Sequence, residues 1–246
     1  MMPSDDARVA APRSRDAANW ADSAPVFHAA GAPPEALNWL EGREVTGPLR
    51  GFGPLWQKTY TVPLTGVVAT PQEVIRTWKE RFPTFWPPGN HFYEPLPGIA
   101  PGEVALINAD LPGGLHFSTG VMVLYADEEQ FTFTTPQGHV FAGWVTFSAF
   151  ARDGQTVAQV EVLVRSPDPL MELGLRLGGY RQEDRFWAQT LGNVAAYFGV
   201  AGRAETHIVC RDRRILWRNA RNIRYNPLFA TIRYALAAPW RAGRRA

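Results

Sequence analysis

Apolar positions near the C-terminal third of the chain follow a helical period. Trp187, Leu191, Val194 and Phe198 are spaced 4, 3 and 4, which puts them on one helix face. Leu170, Leu173 and Leu177 repeat the spacing upstream, Asp168 stands at the N-cap position with Pro169 first in the helix, and Gly199 stands where a helix stops. Gly178-Gly179 interrupts the run, which predicts a kink or a second helix starting near Tyr180, with Glu183 and Asp184 in its first turn.

Ahead of this helix the period is two. Residues 55–64 read as a strand, and Thr70-Pro71-Gln72-Glu73 carries a capping box that opens a helix with Val74, Ile75, Trp78 and Phe82 on its apolar face. Pro83 ends it, and the proline-rich residues 83–101 predict an irregular loop. Strands are expected over 103–109, 115–125, 130–135, 139–151 and 155–165. The turns between them (Pro112-Gly113-Gly114, Asp127-Glu128-Glu129, Pro136-Gln137-Gly138, Asp153-Gly154) are short, so the strands form an antiparallel meander. In the last strand Ala158, Val160, Val162 and Val164 alternate with Gln159, Glu161 and Arg165, one buried face and one wet face. Residues 205–210 suggest one more short strand. Asn226-Pro227 opens a short helix with Phe229, Ile232 and Leu236 on one face and Arg233 off it, ended by Pro239. There is no internal repeat.

The order strand, helix, irregular segment, antiparallel meander, long helix resembles the START-like (SRPBCC, helix-grip) superfamily over residues 55–200, together with the stretch EDRFWAQTLGNVAAYFGV. The resemblance implies an α+β fold in which a curved antiparallel sheet grips the long C-terminal helix around an apolar cavity. Members bind lipids, sterols, polyketides, quinones or hormones, and some, such as aromatase/cyclases, do chemistry on the ligand. This chain departs from a minimal member in its N-terminal arm and its basic C-terminal extension. The expected organisation is a disordered N-terminus at 1–22, an extended arm at 23–54, the START-like domain at 55–200 and the extension at 201–246.

Composition sharpens this reading at three points. Nine Trp and fourteen Phe among 246 residues either fill a large core or line a ligand cavity. A single cysteine, Cys210, excludes an intramolecular disulfide and a Cys-based zinc site, and is expected to be a buried thiol. The formal net charge of +2 hides an asymmetry: residues 201–246 hold eleven Arg against Glu205 and Asp212, a balance of +9, which leaves 14 basic and 21 acidic residues, −7, in the first 200. That tail either packs on the acidic body or meets a polyanion. Its Trp217, Tyr225, Phe229, Tyr234 and Trp240 among arginines suit an anionic membrane surface and also RNA or single-stranded DNA, with no specific motif for either; nucleic acid is the less expected partner. With neither an apolar leader pattern nor a run of about 18 apolar residues, the expected location is the cytoplasm, with peripheral membrane attachment left open.

The chemistry-bearing residues are few. The five histidines have no metal-ligand spacing, and no phosphate loop or nucleophile elbow occurs, so no metal and no cofactor are expected. His116 and His139 fall at strand starts, where a cavity mouth would place a general acid or base; the plainer alternative is an edge histidine satisfied by hydrogen bonds. Tyr93 and Glu94, beside His91, are candidates for a lid or for an ordinary surface loop. Asp184 lies on the stripe through Tyr180, Trp187 and Leu191 and is expected to face the sheet, paired with Arg165 or Arg185, either as an acid group in the cavity or as a structural ion pair. Candidate ligand-lining residues are Trp78, Tyr93, Phe117, Trp144, Tyr180, Trp187 and Leu191. Three functions follow: binding of a hydrophobic small molecule or lipid in the cavity, a cyclase or dehydratase acting on a polyketide-like substrate, and a membrane-associated lipid or quinone carrier using the tail.

Overall fold

Successive strands between residues 104 and 165 lie in antiparallel pairs, in a computed structural model that describes residues 16–22, 26–31, 33, 36–111 and 115–237; the expected turn at Pro112-Gly113-Gly114 lies outside them. In chain order the elements are β1 (Val45–Thr46), β2 (Leu55–Pro63), α1 (Pro71–Glu80), β3 (Asn90–Tyr93), β4 (Val104–Leu111), β5 (Leu115–Ala126), β6 (Gln130–Pro136), β7 (Ala142–Arg152), β8 (Gln155–Arg165), α2 (Pro169–Gly174), α3 (Tyr180–Tyr197), β9 (Glu205–Asp212) and α4 (Pro227–Leu236). The sheet has nine strands. Eight follow the order β3-β4-β5-β6-β7-β8-β2-β9, and β1 pairs with β6. β2 returns from the front of the chain to lie between β8 and β9, with Tyr60 opposite both Val160 and Thr206.

Local chemistry explains the helix ends. Thr70 accepts from the Glu73 N–H while the Glu73 carboxylate accepts from the Thr70 N–H, so the capping box forms as expected. Asp168 Oδ1 accepts from the N–H groups of Leu170 and Met171, both at 2.9 Å. The glycine pair resolves the choice between kink and second helix: a π-helical turn spans Leu175–Gly179, Gly178 takes φ 143°, and α3 begins at Tyr180. Leu173 and Leu177 of the upstream stripe are exposed. Gly199, at φ 79°, ends α3.

Two other expectations are corrected. The proline-rich segment is not wholly irregular, because β3 forms inside it and pairs with β4 through Asn90–Tyr93. The strand expected from residue 139 starts at Ala142; His139 lies in the preceding turn.

The concave face of the sheet presents Val121, Val123, Phe131, Phe133, Phe147 and Val160 to α1 and α3, which contribute Val74, Ile75, Trp78, Leu191 and Val194. Large rings occupy the space. Phe131 stacks on Phe147 at 4.6 Å between centroids, Phe82 meets Phe147 at 5.1 Å, and Trp78 meets Phe147 at 5.3 Å. The convex face carries a smaller cluster of Phe27, Leu40, Val104, Leu106 and Met122, formed with the arm. The arm's Leu37 N–H donates to Asn108 Oδ1 at 2.8 Å. Gly120 makes this docking sterically feasible: a Cβ there would lie 2.2 Å from Leu40 Cδ2 and 2.3 Å from the Ala105 carbonyl oxygen.

Candidate functional site

On β2 the side chains of Lys58, Tyr60 and Val62 share one face by strand alternation, and that face is the concave one. Tyr60 and Val62 belong there by hydrophobicity. Lys58 does not, yet it is as buried as its neighbours, 2% exposed. Burial of an ammonium group requires paired negative charge, and the first turn of α3 supplies it. Lys58 Nζ donates to Glu183 Oε2 at 2.7 Å and to Asp184 Oδ1 at 2.8 Å, and the Tyr60 hydroxyl donates to the same Asp184 oxygen at 2.6 Å. The ammonium also lies 5.0 Å from the centre of the Tyr180 ring.

One cation thus faces two carboxylates where water is scarce. Burial pushes the Glu183 carboxyl up to about 7, with Lys58 opposing the shift and the charge of Asp184 adding to it. Glu183 Oε1 is buried without a hydrogen bond. The Tyr60 phenol is raised far above its ordinary range by burial and then by the charge of Glu183, so it stays a donor. Tyr180 is raised too, first by burial and then by Glu172, to which its hydroxyl donates at 3.1 Å. The cluster thus buries a carboxyl with a raised pKa, Glu183, beside two hydrogen-bond donors, Lys58 Nζ and the Tyr60 hydroxyl. Such shifts are a common feature of functional sites.

Aromatic rings surround this polar centre. Tyr180 meets Trp56 at 6.2 Å and Phe141 at 6.4 Å. Further along the helix the half-buried Trp86, Phe186 and Trp187 line the seam between α3 and the segment before β3, with Trp86 and Phe186 at 5.1 Å and Phe186 and Trp187 at 4.8 Å. The indole N–H groups of Trp78 and Trp86 are buried and have no hydrogen-bond partner, while that of Trp56 lies beside the Tyr180 hydroxyl. Two unanswered donors in an apolar interior call for an acceptor, either water or a ligand.

The structure brings some of the anticipated residues together and separates others. Asp184 faces the sheet as expected, but its partners are Lys58 and Tyr60, not Arg165 or Arg185. Arg165 is committed elsewhere, to the carbonyls of Gly53 and Arg214 and to the Asp212 carboxylate. Trp78, Trp187 and Leu191 lie in the concave core or against it, and Tyr180 adjoins the polar centre. Phe117 shares its strand face with Val121 and Val123. Tyr93 packs on the convex cluster, and Trp144, 39% exposed, lies on the face of β7 opposite Phe147.

His116 also faces away from the core, its ring 6.0 Å from that of Tyr234 on α4. His139 sits in its turn and accepts at Nδ1 from the Phe141 N–H at 3.0 Å; loss of water around the ring pushes its pKa down to about 4, so it is neutral at physiological pH. Cys210 on β9 is half-buried, where a buried thiol was expected. Sequence reasoning passed over Lys58, Tyr60 and Glu183. The signal for Lys58 was its parity with Tyr60 and Val62. Among the described residues no His, Cys, Asp and Glu side chains group as metal ligands, and no helix is long and apolar enough to cross a membrane.

No protein-family model matches the chain, and no curated protein is significantly similar to it. Solved structures do resemble it. A START superfamily protein from Mycobacterium smegmatis is 21% identical, with the match covering 59% of this chain and 99% of that one at a TM-score of 0.39. Protein Ms6760 of the same organism is 16% identical over 63% of this chain and 96% of its own, at 0.41. The di-domain ARO/CYC StfQ from the steffimycin biosynthetic pathway is 13% identical over 59% of this chain and 51% of its own, at 0.45. In its own topology, a curved antiparallel sheet closed on a C-terminal helical run of 29 residues, the chain has an α+β helix-grip architecture.

Proposed function

We propose that the protein binds a hydrophobic small molecule between the curved sheet and α3, with the ligand's polar end held at the Lys58, Tyr60, Glu183 and Asp184 cluster. One observation carries the reading: a cluster of two carboxylates, an ammonium and a phenol is buried at the end of an aromatic core that also holds the unpartnered indole donors of Trp78 and Trp86. Burial of the apolar part supplies the affinity, at about 25 cal/mol per Å² before the costs of association. The few polar groups set orientation.

Native mass spectrometry of the full chain, followed by extraction, tests this. A retained apolar molecule bearing a carbonyl or hydroxyl group is the expected result. A chain that arrives empty and takes up no apolar fluorescent probe defeats the proposal.

A second reading is enzymatic: cyclisation or dehydration of a polyketide-like substrate by general acid and base catalysis. It is favoured by Glu183 lying near neutrality beside two fixed donors, the condition for moving protons at physiological pH. Glu183→Gln separates the two: catalysis predicts turnover lost with binding kept.

A further inference from the structure

The helix α4 lies on the domain with its apolar side outward. Its inward positions are Pro227 and Thr231, both buried, and the half-buried Ala230 and Tyr234. Leu228, Phe229, Ile232 and Leu236 point to solvent at 44%, 45%, 53% and 72% exposure. A helix that only covered the sheet would be turned the other way. The orientation is held from outside the helix. Asn226 caps it through the Leu228 N–H and donates to both oxygens of Asp168, while Asn219 donates to the Gly51 carbonyl and Asn222 to those of Arg50 and Pro167. The helix is therefore docked on the body by amide groups and not by ion pairs of Arg218, Arg221, Arg224 or Arg233.

Those arginines surround the apolar stripe. Arg43, Arg224 and Arg233 line an open groove of about 570 Å³ with Tyr225, Phe229 and Ile232. The guanidiniums of Arg43 and Arg224 lie 5.2 and 4.6 Å from the centre of the Tyr225 ring. Among the described residues none of Arg218, Arg221, Arg224, Arg233 or Arg43 has a carboxylate partner; the ion pairs of the tail are those of Asp212 with Arg165 and Arg214.

We infer that α4 and its arginine rim form a docking surface for an anionic lipid bilayer. Four exposed aliphatic and aromatic side chains ringed by unpaired arginines match the two attractions such a surface offers, apolar burial at the acyl boundary and the negative headgroup layer. The charge of −7 on the first 200 residues orients the molecule, because the body is repelled where the tail is drawn in. A second copy fits poorly, since a two-fold contact through this face would bring Arg224 and Arg233 against their own counterparts. Nucleic acid would leave Leu228, Ile232 and Leu236 without a role. The inference stands independently of the ligand reading.

The test uses the full chain and sedimentation with phosphatidylcholine vesicles, with and without phosphatidylglycerol. Binding is expected only with phosphatidylglycerol, and weaker as salt rises. The pair Arg224→Gln with Arg233→Gln should weaken it about thirtyfold, at roughly one headgroup attraction per arginine. Phe229→Ser with Ile232→Ser should weaken it at unchanged salt dependence. Equal binding to both vesicles, no binding to either, or full binding by both double variants overturns the proposal. So does competition by glycerol phosphate alone at headgroup-equivalent concentration, or a dimer in solution that Phe229→Ser with Ile232→Ser splits. The comparison of vesicles needs no variant, so a folding defect cannot obscure it.

Discussion

Lys58 on β2 and Glu183 on α3 form an ion pair of 2.7 Å whose side chains are only 3% and 6% exposed. It joins the sheet to the first turn of the helix it grips. Removing the cation leaves Glu183 buried and Asp184 half-buried, without an opposing charge. Lys58→Met should cost about 3–5 kcal/mol, the range for breaking a buried pair by deleting one partner. Denaturant unfolding measures it. Pairing the change with Glu183→Gln should recover part of the loss, and simple additivity would show that the two residues are not coupled.

The pH dependence has two opposed parts. Glu183 has its folded pKa raised to about 7, so the folded state holds the proton more tightly than the unfolded chain. Its effect is that stability falls as pH rises from the ordinary carboxylate range through about 7. His139 is lowered to about 4, so its effect is that stability rises between about 4 and the ordinary histidine range. Glu183→Gln removes only the first. Relative to the natural chain its thermal midpoint should improve from pH 5 to about pH 7 and level off above that. A gap that does not change with pH would place the Glu183 titration elsewhere.

Tyr60 and Tyr180 are both held protonated well above the ordinary phenol range. Both should fail to ionise in an ultraviolet absorbance titration until the alkaline transition unfolds the chain. Tyr60→Phe should remove one late-ionising group. It should also cost about 1.5–3 kcal/mol, the range for a hydrogen bond to a charged partner.

Arg165 fastens the start of the tail to the body through Gly53, Arg214 and Asp212. Arg165→Met should release this strap, and brief trypsin treatment should then cut after Arg213 or Arg214 in the variant before it does so in the natural chain. Equal cleavage rates would mean that the amide contacts of Asn219, Asn222 and Asn226 suffice to hold the tail.

Gly120→Ala should loosen the arm by pushing Leu40 and the Ala105 carbonyl aside, at about 1–3 kcal/mol for an overpacked site. Faster amide exchange in residues 36–46, with the concave core unaffected, is the expected pattern.

Local sequence determined the meander, the capping box at Thr70 and the Asp168 cap, and narrowed the Gly178-Gly179 break to a kink or a second helix near Tyr180, because these depend on neighbours a few residues apart. The same local reading set Phe229, Ile232 and Leu236 on one helix face and turned Asp184 toward the sheet. Tertiary structure decided what each of those faces meets. Lys58 and Glu183 are 125 residues apart, and only the insertion of β2 beside β8 brings them together. His116 and Trp144 looked like cavity residues until strand parity in the folded sheet put them on its convex side. A period-two pattern that is apolar at most positions on both faces does not say which face is concave, because that depends on how the sheet curves and what it closes upon. The stripe on α4 was legible as a stripe; its outward turn follows from asparagine contacts with residues 50, 51, 167 and 168, far away in the chain.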